Sequence, residues 1–187
     1  SEMKLDKVIL SSDDNPDYLE FWPIVSEAWR NIGIEPILFY TGKNKIKNEN
    51  VFNFNLEKCD SAFLAQNIRL LAPTLFPNDT CIISDIDNMP LSEDYFQGNI
   101  VNIADNQFII YRPDATSEDM ISIMWNAAKG SKWIDIFEVD SVESITKKLL
   151  SWYPENYSIG GDNWYHDQKI LKEYITKYEA RNISSIT

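Results

Sequence analysis

Apolar and polar positions along this chain follow two periods, and the switches between them mark the elements. Lys7-Val8-Ile9-Leu10-Ser11 is a short apolar run that breaks into Ser12-Asp13-Asp14-Asn15-Pro16, the pattern of a buried strand followed by a loop. Asn15 suits a helix N-cap and Pro16 the first helical position. Tyr18, Trp22, Val25, Trp29 and Ile32 then recur at helical spacing until Gly33, so this aromatic stripe is expected in the core. Pro36-Ile37-Leu38-Phe39-Tyr40 predicts a second buried strand, closed by Thr41-Gly42. Strand, helix and strand in this order predict a right-handed parallel βαβ unit.

Residues 43–50 are polar and read as a loop, with a weak strand following at Val51 to Leu56. A helix is expected from about Asp60 to Ala72, with Leu64, Ile68 and Leu71 toward the core and Pro73 and Pro77 as its stop. Gln66 and Arg69 share another face of it. Arg69 either holds a phosphate or orients a carboxylate through its fork of donors, or is an ordinary exposed arginine. Next, the run Cys81-Ile82-Ile83-Ser84 ends in Asp85-Ile86-Asp87. Along a strand both acids would point one way and Ile86 the other. Two like charges so placed are either neutralised by a divalent cation or belong to a solvated acidic turn.

Farther on, Ile100 to Ile103 and Gln107 to Tyr111 read as strands, and about Ser117 to Lys129 and Val142 to Trp152 as helices. The stretch from Ser151 to Gly161 lacks periodicity. It is read either as a flap offering Trp152 or Tyr153 to a sugar ring or as an aromatic-anchored loop. A last helix starts near Asp162, its expected N-cap, with Trp164, Asp167, Leu171, Tyr174 and Tyr178 on one face. A carboxylate on an apolar stripe is costly to bury alone. Asp167 is therefore either a working acid or bonded to a Trp, Tyr or backbone N–H. His166, the only histidine, is a candidate metal ligand or acceptor contact, or a surface residue.

The chain has 187 residues, enough for one domain with a substantial core, taken as residues 3–187. Its formal net charge of −12, without Lys/Arg clusters, excludes nucleic acid or an anionic membrane surface as main partner. A phosphorylated ligand would need a local positive charge here, and a bound metal supplies one. No apolar run approaches the roughly 18 residues of a membrane span, and no signal peptide opens the chain. Cys59 and Cys81 lie in or beside apolar sequence without metal-type spacing and read as reduced core thiols. Together these features lead to the expectation of a cytoplasmic protein without membrane insertion.

These residues resemble the metal-dependent nucleotide-sugar glycosyltransferases of the GT-A fold. The resemblance rests on the first strand with its Ser/Asp loop, on Gln66-x-x-Arg69-Leu70, on Ile83-Ser84-Asp85-Ile86-Asp87-Asn88-Met89-Pro90-Leu91, and on Trp164-x-x-Asp167-Gln168. It spans most of the chain, and its most specific part is the Asp-x-Asp motif with the Met-Pro-Leu tail. The short acidic form is also similar to small virus-encoded or bacterial glycosyltransferase domains, including those of large algal viruses. For a viral protein the compartment is the host cytoplasm, and such a domain can form part of a larger polypeptide.

The resemblance implies a GT-A-like α/β domain with a Rossmann-like, mostly parallel central sheet flanked by helices. It implies sugar transfer from a nucleotide-diphosphate donor, a UDP-sugar by preference, to the hydroxyl of a carbohydrate acceptor. Asp87 would hold Mn²⁺ or Mg²⁺ on the diphosphate, and Asp85 would contact ribose or sugar and share the metal through water. Ser11, Ser12 and Asp13 would meet base and ribose, and Arg69 would serve the same donor. Asp167 matches the position that acts as general base in inverting members, so an inverting route is expected. Many members bring a metal-binding histidine from a C-terminal segment; here either His166 replaces it, or water or an acid fills that coordination position.

Two other classes share some of these features. Haloacid-dehalogenase-like phosphatases also carry Asp-x-Asp after an apolar strand, but on their first strand and with Thr or Val where Met89 stands. Sugar nucleotidylyltransferases open with a glycine-rich phosphate loop, whereas Ser11 to Asp17 contains no glycine. A non-catalytic sugar-nucleotide-binding domain is the remaining alternative.

Overall fold

The structure is a computed structural model and describes residues 1–182 and 185–187. Its centre is a six-stranded sheet built from β1 (Lys7–Ser12), β2 (Glu35–Tyr40), β3 (Val51–Asn53), β4 (Thr80–Ile83), β5 (Ile109–Ile110) and β6 (Asn126–Lys129). The spatial order is β3-β2-β1-β4-β6-β5. β1 pairs in parallel with β2 and β4, and β2 with β3; β6 runs antiparallel between β4 and β5. The expected mostly parallel α/β sheet flanked by helices is therefore present.

Alternation along the strands supplies both sides of the sheet with core. Ile9, Ile37, Phe39, Cys81 and Ile83 face one cluster, and Val8, Leu10, Leu38, Tyr40 and Ile82 face the other. The first cluster is closed by α3 (Ser61–Leu71), α5 (Gly130–Phe137), α6 (Val142–Trp152) and α7 (His166–Glu179), and the second by α2 (Trp22–Asn31) and the short α4 (Glu93–Phe96). Apolar strands buried on two faces explain why these runs are continuous rather than alternating. Both cysteines are free and buried.

Local chemistry sets the helix ends. The Asn15 side chain caps α1 (Pro16–Leu19) by accepting from the Asp17 N–H at 3.0 Å, and Asp60 caps α3 by accepting from Ala62 N–H at 2.8 Å. Gly33 ends the α2 segment at φ +83°, a conformation that glycine adopts without a Cβ penalty.

Four expectations need correction. The stripe from Tyr18 to Ile32 is two helices broken around Glu20-Phe21; Val25 and Trp29 are buried, but Tyr18 remains 37% exposed. Residues 117–129 do not form a helix: the segment is irregular until β6, where pairing with β4 overrides the helical preference of Asn126-Ala127-Ala128-Lys129. The alanines there leave room for the Trp133 indole, which donates to the Ala128 carbonyl at 3.1 Å. Residues 100–103 form no strand; the chain makes a short 3₁₀ turn at Gly98–Ile100 and buries Ile100. The last helix begins at His166, with Tyr165 rather than Asp162 at its cap position.

Candidate functional site

A cavity of about 280 Å³ opens at the carboxyl ends of β1 and β4 and is walled by α3 and the start of α7. Parallel strands end together here, and open α/β sheets bind ligands at this edge. Ser11, Ser12, Asp13, Gln66, Arg69, Asp85, Asp87 and Asp167 all line it. Stretches far apart in sequence thus converge on one space.

Asp85 and Asp87 arrive by a different route than the expected strand. β4 ends at Ile83, Ser84 N–H makes a last bond to the Ile9 carbonyl at 3.2 Å, and the chain then turns. Ile86 is buried in the α2-side core and anchors that turn. Both acids still face the cavity. Asp87 is exposed, and its Oδ1 accepts from the Asn88 amide at 3.1 Å.

Arg69 joins the two acidic elements. Only 6% exposed, it projects from the last turn of α3; Nη1 pairs with Asp85 Oδ1, and Nη2 lies 3.4 Å from Asp167 Oδ2. Nη1 also donates to the Ser84 carbonyl at 3.2 Å. Burial disfavours the charged guanidinium, but Asp85 and then Asp167 outweigh it and hold the group more firmly protonated than usual.

Asp167 is the second residue of α7 and 4% exposed. Its Oδ1 accepts from Gln168 N–H at 2.8 Å. Burial pushes the carboxyl up to about 6, although Arg69 and that N–H pull it down. The longer, shared contact with Arg69 explains the balance, because the guanidinium is committed first to Asp85.

The serines of the expected base loop are tied to backbone. Ser11 Oγ donates to the Ala65 carbonyl, and Ser12 Oγ to that of Asp13 at 2.9 Å. Asp13, which lines the cavity, accepts from Asn15 N–H through Oδ1 at 2.9 Å.

His166 departs from the expected metal set. Consecutive helical residues point about 100° apart, and His166 turns to Phe63, ring centroids 6.1 Å apart, rather than into the cavity that Asp167 lines. Its Nε2 is buried without a partner, and burial lowers its tendency to protonate. Among the described residues, no three His, Cys, Asp or Glu side chains converge as a metal site.

Tyr18, Trp164, Tyr165 and Gln168 also line the cavity. Periodicity assigned Tyr18 and Trp164 to core stripes and gave no signal for Tyr165. Pro23, which suits the first turn of a new helix, is the signal in the sequence that separates Tyr18 from the α2 stripe. Trp152 and Tyr153 do not line the cavity; the Tyr153 ring packs edge-on against Phe63, so this stretch is an anchored loop.

Comparison with known proteins gives structural likeness without sequence likeness. No protein-family model matches the chain, and no curated protein sequence does. Among solved structures, the chain is similar to the galactosyltransferase LgtC in complex with donor and acceptor sugar analogs, at 9% identity and a TM-score of 0.45 over 92% of this chain and 70% of that one. It is also similar to a Drosophila β1,4-galactosyltransferase 7 variant in complex with manganese, UDP-Gal and xylobiose, at 10% identity and a TM-score of 0.41 over 89% and 75% of the two chains.

Proposed function

We propose that this protein is a glycosyltransferase that moves a sugar from a nucleotide-diphosphate donor, a UDP-sugar by preference, to a carbohydrate hydroxyl. The observation that carries this reading is the convergence of Asp85, Asp87 and Asp167 around Arg69 at the carboxyl edge of the parallel strands.

The donor set suits a divalent cation. Asp87 and Asp85 each have an oxygen not engaged in the hydrogen bonds above, and hard cations such as Mg²⁺ or Mn²⁺ commonly take one or two carboxylates and complete their shell with phosphate and water. A set of two, rather than three, protein acids fits an ion shared with a diphosphate. Such a cation offsets the negative charge of the departing diphosphate. His166 is left out of this set.

Arg69 orients Asp85 through the Nη1–Oδ1 ion pair. In the transfer step, the bond from the anomeric carbon to the diphosphate oxygen breaks, and the diphosphate leaves with the electron pair. A bond from that carbon to the acceptor oxygen forms, and the hydroxyl proton passes to Asp167. A base with a pKa near the working pH suits that role, and burial places Asp167 there.

A second reading of Asp167 is favoured by its partner. One guanidinium holds both Asp85 and Asp167, which ties Asp167 to the donor side and suits a carboxylate accepting from a donor-sugar hydroxyl. Steady-state transfer by Asp167→Asn separates the two. A base predicts kcat lowered by about 10²-fold or more with donor KM unchanged. A hydroxyl contact predicts that donor KM rises and that a deoxy donor loses its disadvantage. Full retention of kcat and KM in the variant contradicts both.

A further inference from the structure

The acid–arginine cluster leaves three aromatic side chains of the cavity without a role: Tyr18, Trp164 and Tyr165. Tyr18 stands on α1, just beyond the Ser12-Asp13 loop. Trp164 and Tyr165 immediately precede α7, and Tyr165 is its cap residue, two positions before Asp167. The Tyr165 ring is 52% exposed, although it borders a cavity. Its apolar face is therefore left uncovered beside the one nearly buried carboxylate of α7.

The backbone carrying Trp164 and Tyr165 is tied to α3 by the side-chain amide of Gln66. Gln66 Nε2 donates to the Trp164 carbonyl at 3.1 Å, and the Tyr157 hydroxyl donates to Gln66 Oε1 at 2.9 Å. Tyr157 in turn packs edge-on against Phe63 of α3. Gln66 and Arg69 are one turn apart on α3, so one helix face holds both the carboxylates and the aromatic segment. A rigid backbone under an uncovered ring is how a fold pre-organises a ligand contact.

A pyranose matches this pair of features. Its C–H faces suit an aromatic ring, and its hydroxyl edges suit a carboxylate. The charges lining the cavity select further. Asp13, Asp85, Asp87 and Asp167 face Arg69 alone, which two of them already share. An acidic sugar would meet like charge from several sides.

We propose that Trp164 and Tyr165 form the platform of the acceptor subsite, that Gln66 is its positioning residue, and that the acceptor ring is a neutral hexopyranose rather than a uronate. The inference rests on the glycosyl-transfer reading and assigns the acceptor side of that same site.

Saturation-transfer NMR tests it on the whole chain, with methyl glucoside, galactoside, mannoside and glucuronide as probes and UDP with Mn²⁺ titrated in parallel. At least one neutral glycoside binds, and the glucuronide does not. Tyr165→Ala weakens that binding about tenfold while Tyr165→Phe, which keeps the ring, restores it. Gln66→Ala weakens the glycoside and leaves UDP affinity within twofold; a general loosening of the fold would weaken both. The inference is overturned if no neutral glycoside binds, if the glucuronide binds as well as the glucoside, or if Tyr165→Ala weakens UDP instead. Absence of UDP binding in the unaltered chain counts against the glycosyl-transfer reading, whereas intact UDP binding with any of those three results sinks only the acceptor platform.

Discussion

Replacing Asp167 by Asn should make the protein more stable at pH 8 while impairing its chemistry. A carboxyl titrates near 3.9 in an unfolded chain and at about 6 here, because Asp167 is buried at 4% exposure and burial disfavours its charged form. About 2 pH units at about 1.4 kcal/mol each correspond to about 3 kcal/mol of folding free energy. Below pH 4 the group is protonated in both states. Between about pH 4 and 6 the folded state holds a proton that the unfolded state has lost, so stability falls as pH rises; above 6 the loss is complete. Asn removes the ionisation and keeps an oxygen for Gln168 N–H. Its amide placed against Arg69 costs about 1 kcal/mol of that gain. The net expectation is about 2 kcal/mol at pH 8, or about 4–8 °C in Tm for a domain of this size. Thermal unfolding of both proteins by circular dichroism at pH 4.5 and 8 reads the difference. A variant less stable than the parent at pH 8, or a gap independent of pH, refutes the reasoning.

Three further outcomes are expected, two from the same contacts and one from the packing of α5. Arg69→Met leaves Asp167 buried without a cation and should cost about 3–5 kcal/mol at pH 8 and clearly less at pH 4.5, measured by urea unfolding. If Asp167 is the base, kcat/KM for transfer should rise with pH through about 6, and an acid limb displaced by more than one pH unit contradicts that role. Gly130→Ala should destabilise by at least about 2 kcal/mol, because a Cβ there would lie 1.9 Å from the Phe76 carbonyl oxygen and 2.7 Å from that of Pro73, both backbone atoms. An unchanged Tm in that variant would mean that the 3₁₀ turn at Ala72–Leu75 and α5 separate easily at this point.

Much of the architecture was legible in sequence where one force dominated. The runs at β1 and β2 are buried on two faces, so they read as strands without ambiguity, and the cap at Asn15 marks a helix start. β6 was not legible, since Asn126-Ala127-Ala128-Lys129 has helical preference and becomes a strand only by pairing with β4. In the site, face arithmetic on α3 put Arg69 and Gln66 together, and spacing put Asp167 on an inward face, where the cavity gathers them. Tyr18 was hidden because one helical stripe was read across a break between two helices. The one-residue offset of His166 sends its ring to Phe63, a consequence visible in helix geometry once Asp167 is placed inward.

On the proposed function, the Asp85–Asp87 end of the cavity takes a nucleotide diphosphate together with a divalent cation. Isothermal calorimetry of UDP, GDP and their sugar conjugates, with and without Mn²⁺, tests it on the unaltered chain and on Asp87→Ala. Because Asp87 is exposed, that variant should fold with stability within about 0.5 kcal/mol of the parent. The expected result is metal-dependent nucleotide binding, stronger for UDP, that Asp87→Ala reduces by at least about tenfold. Nucleotide binding that is absent with Mn²⁺, or that is indifferent to both metal and Asp87, contradicts it.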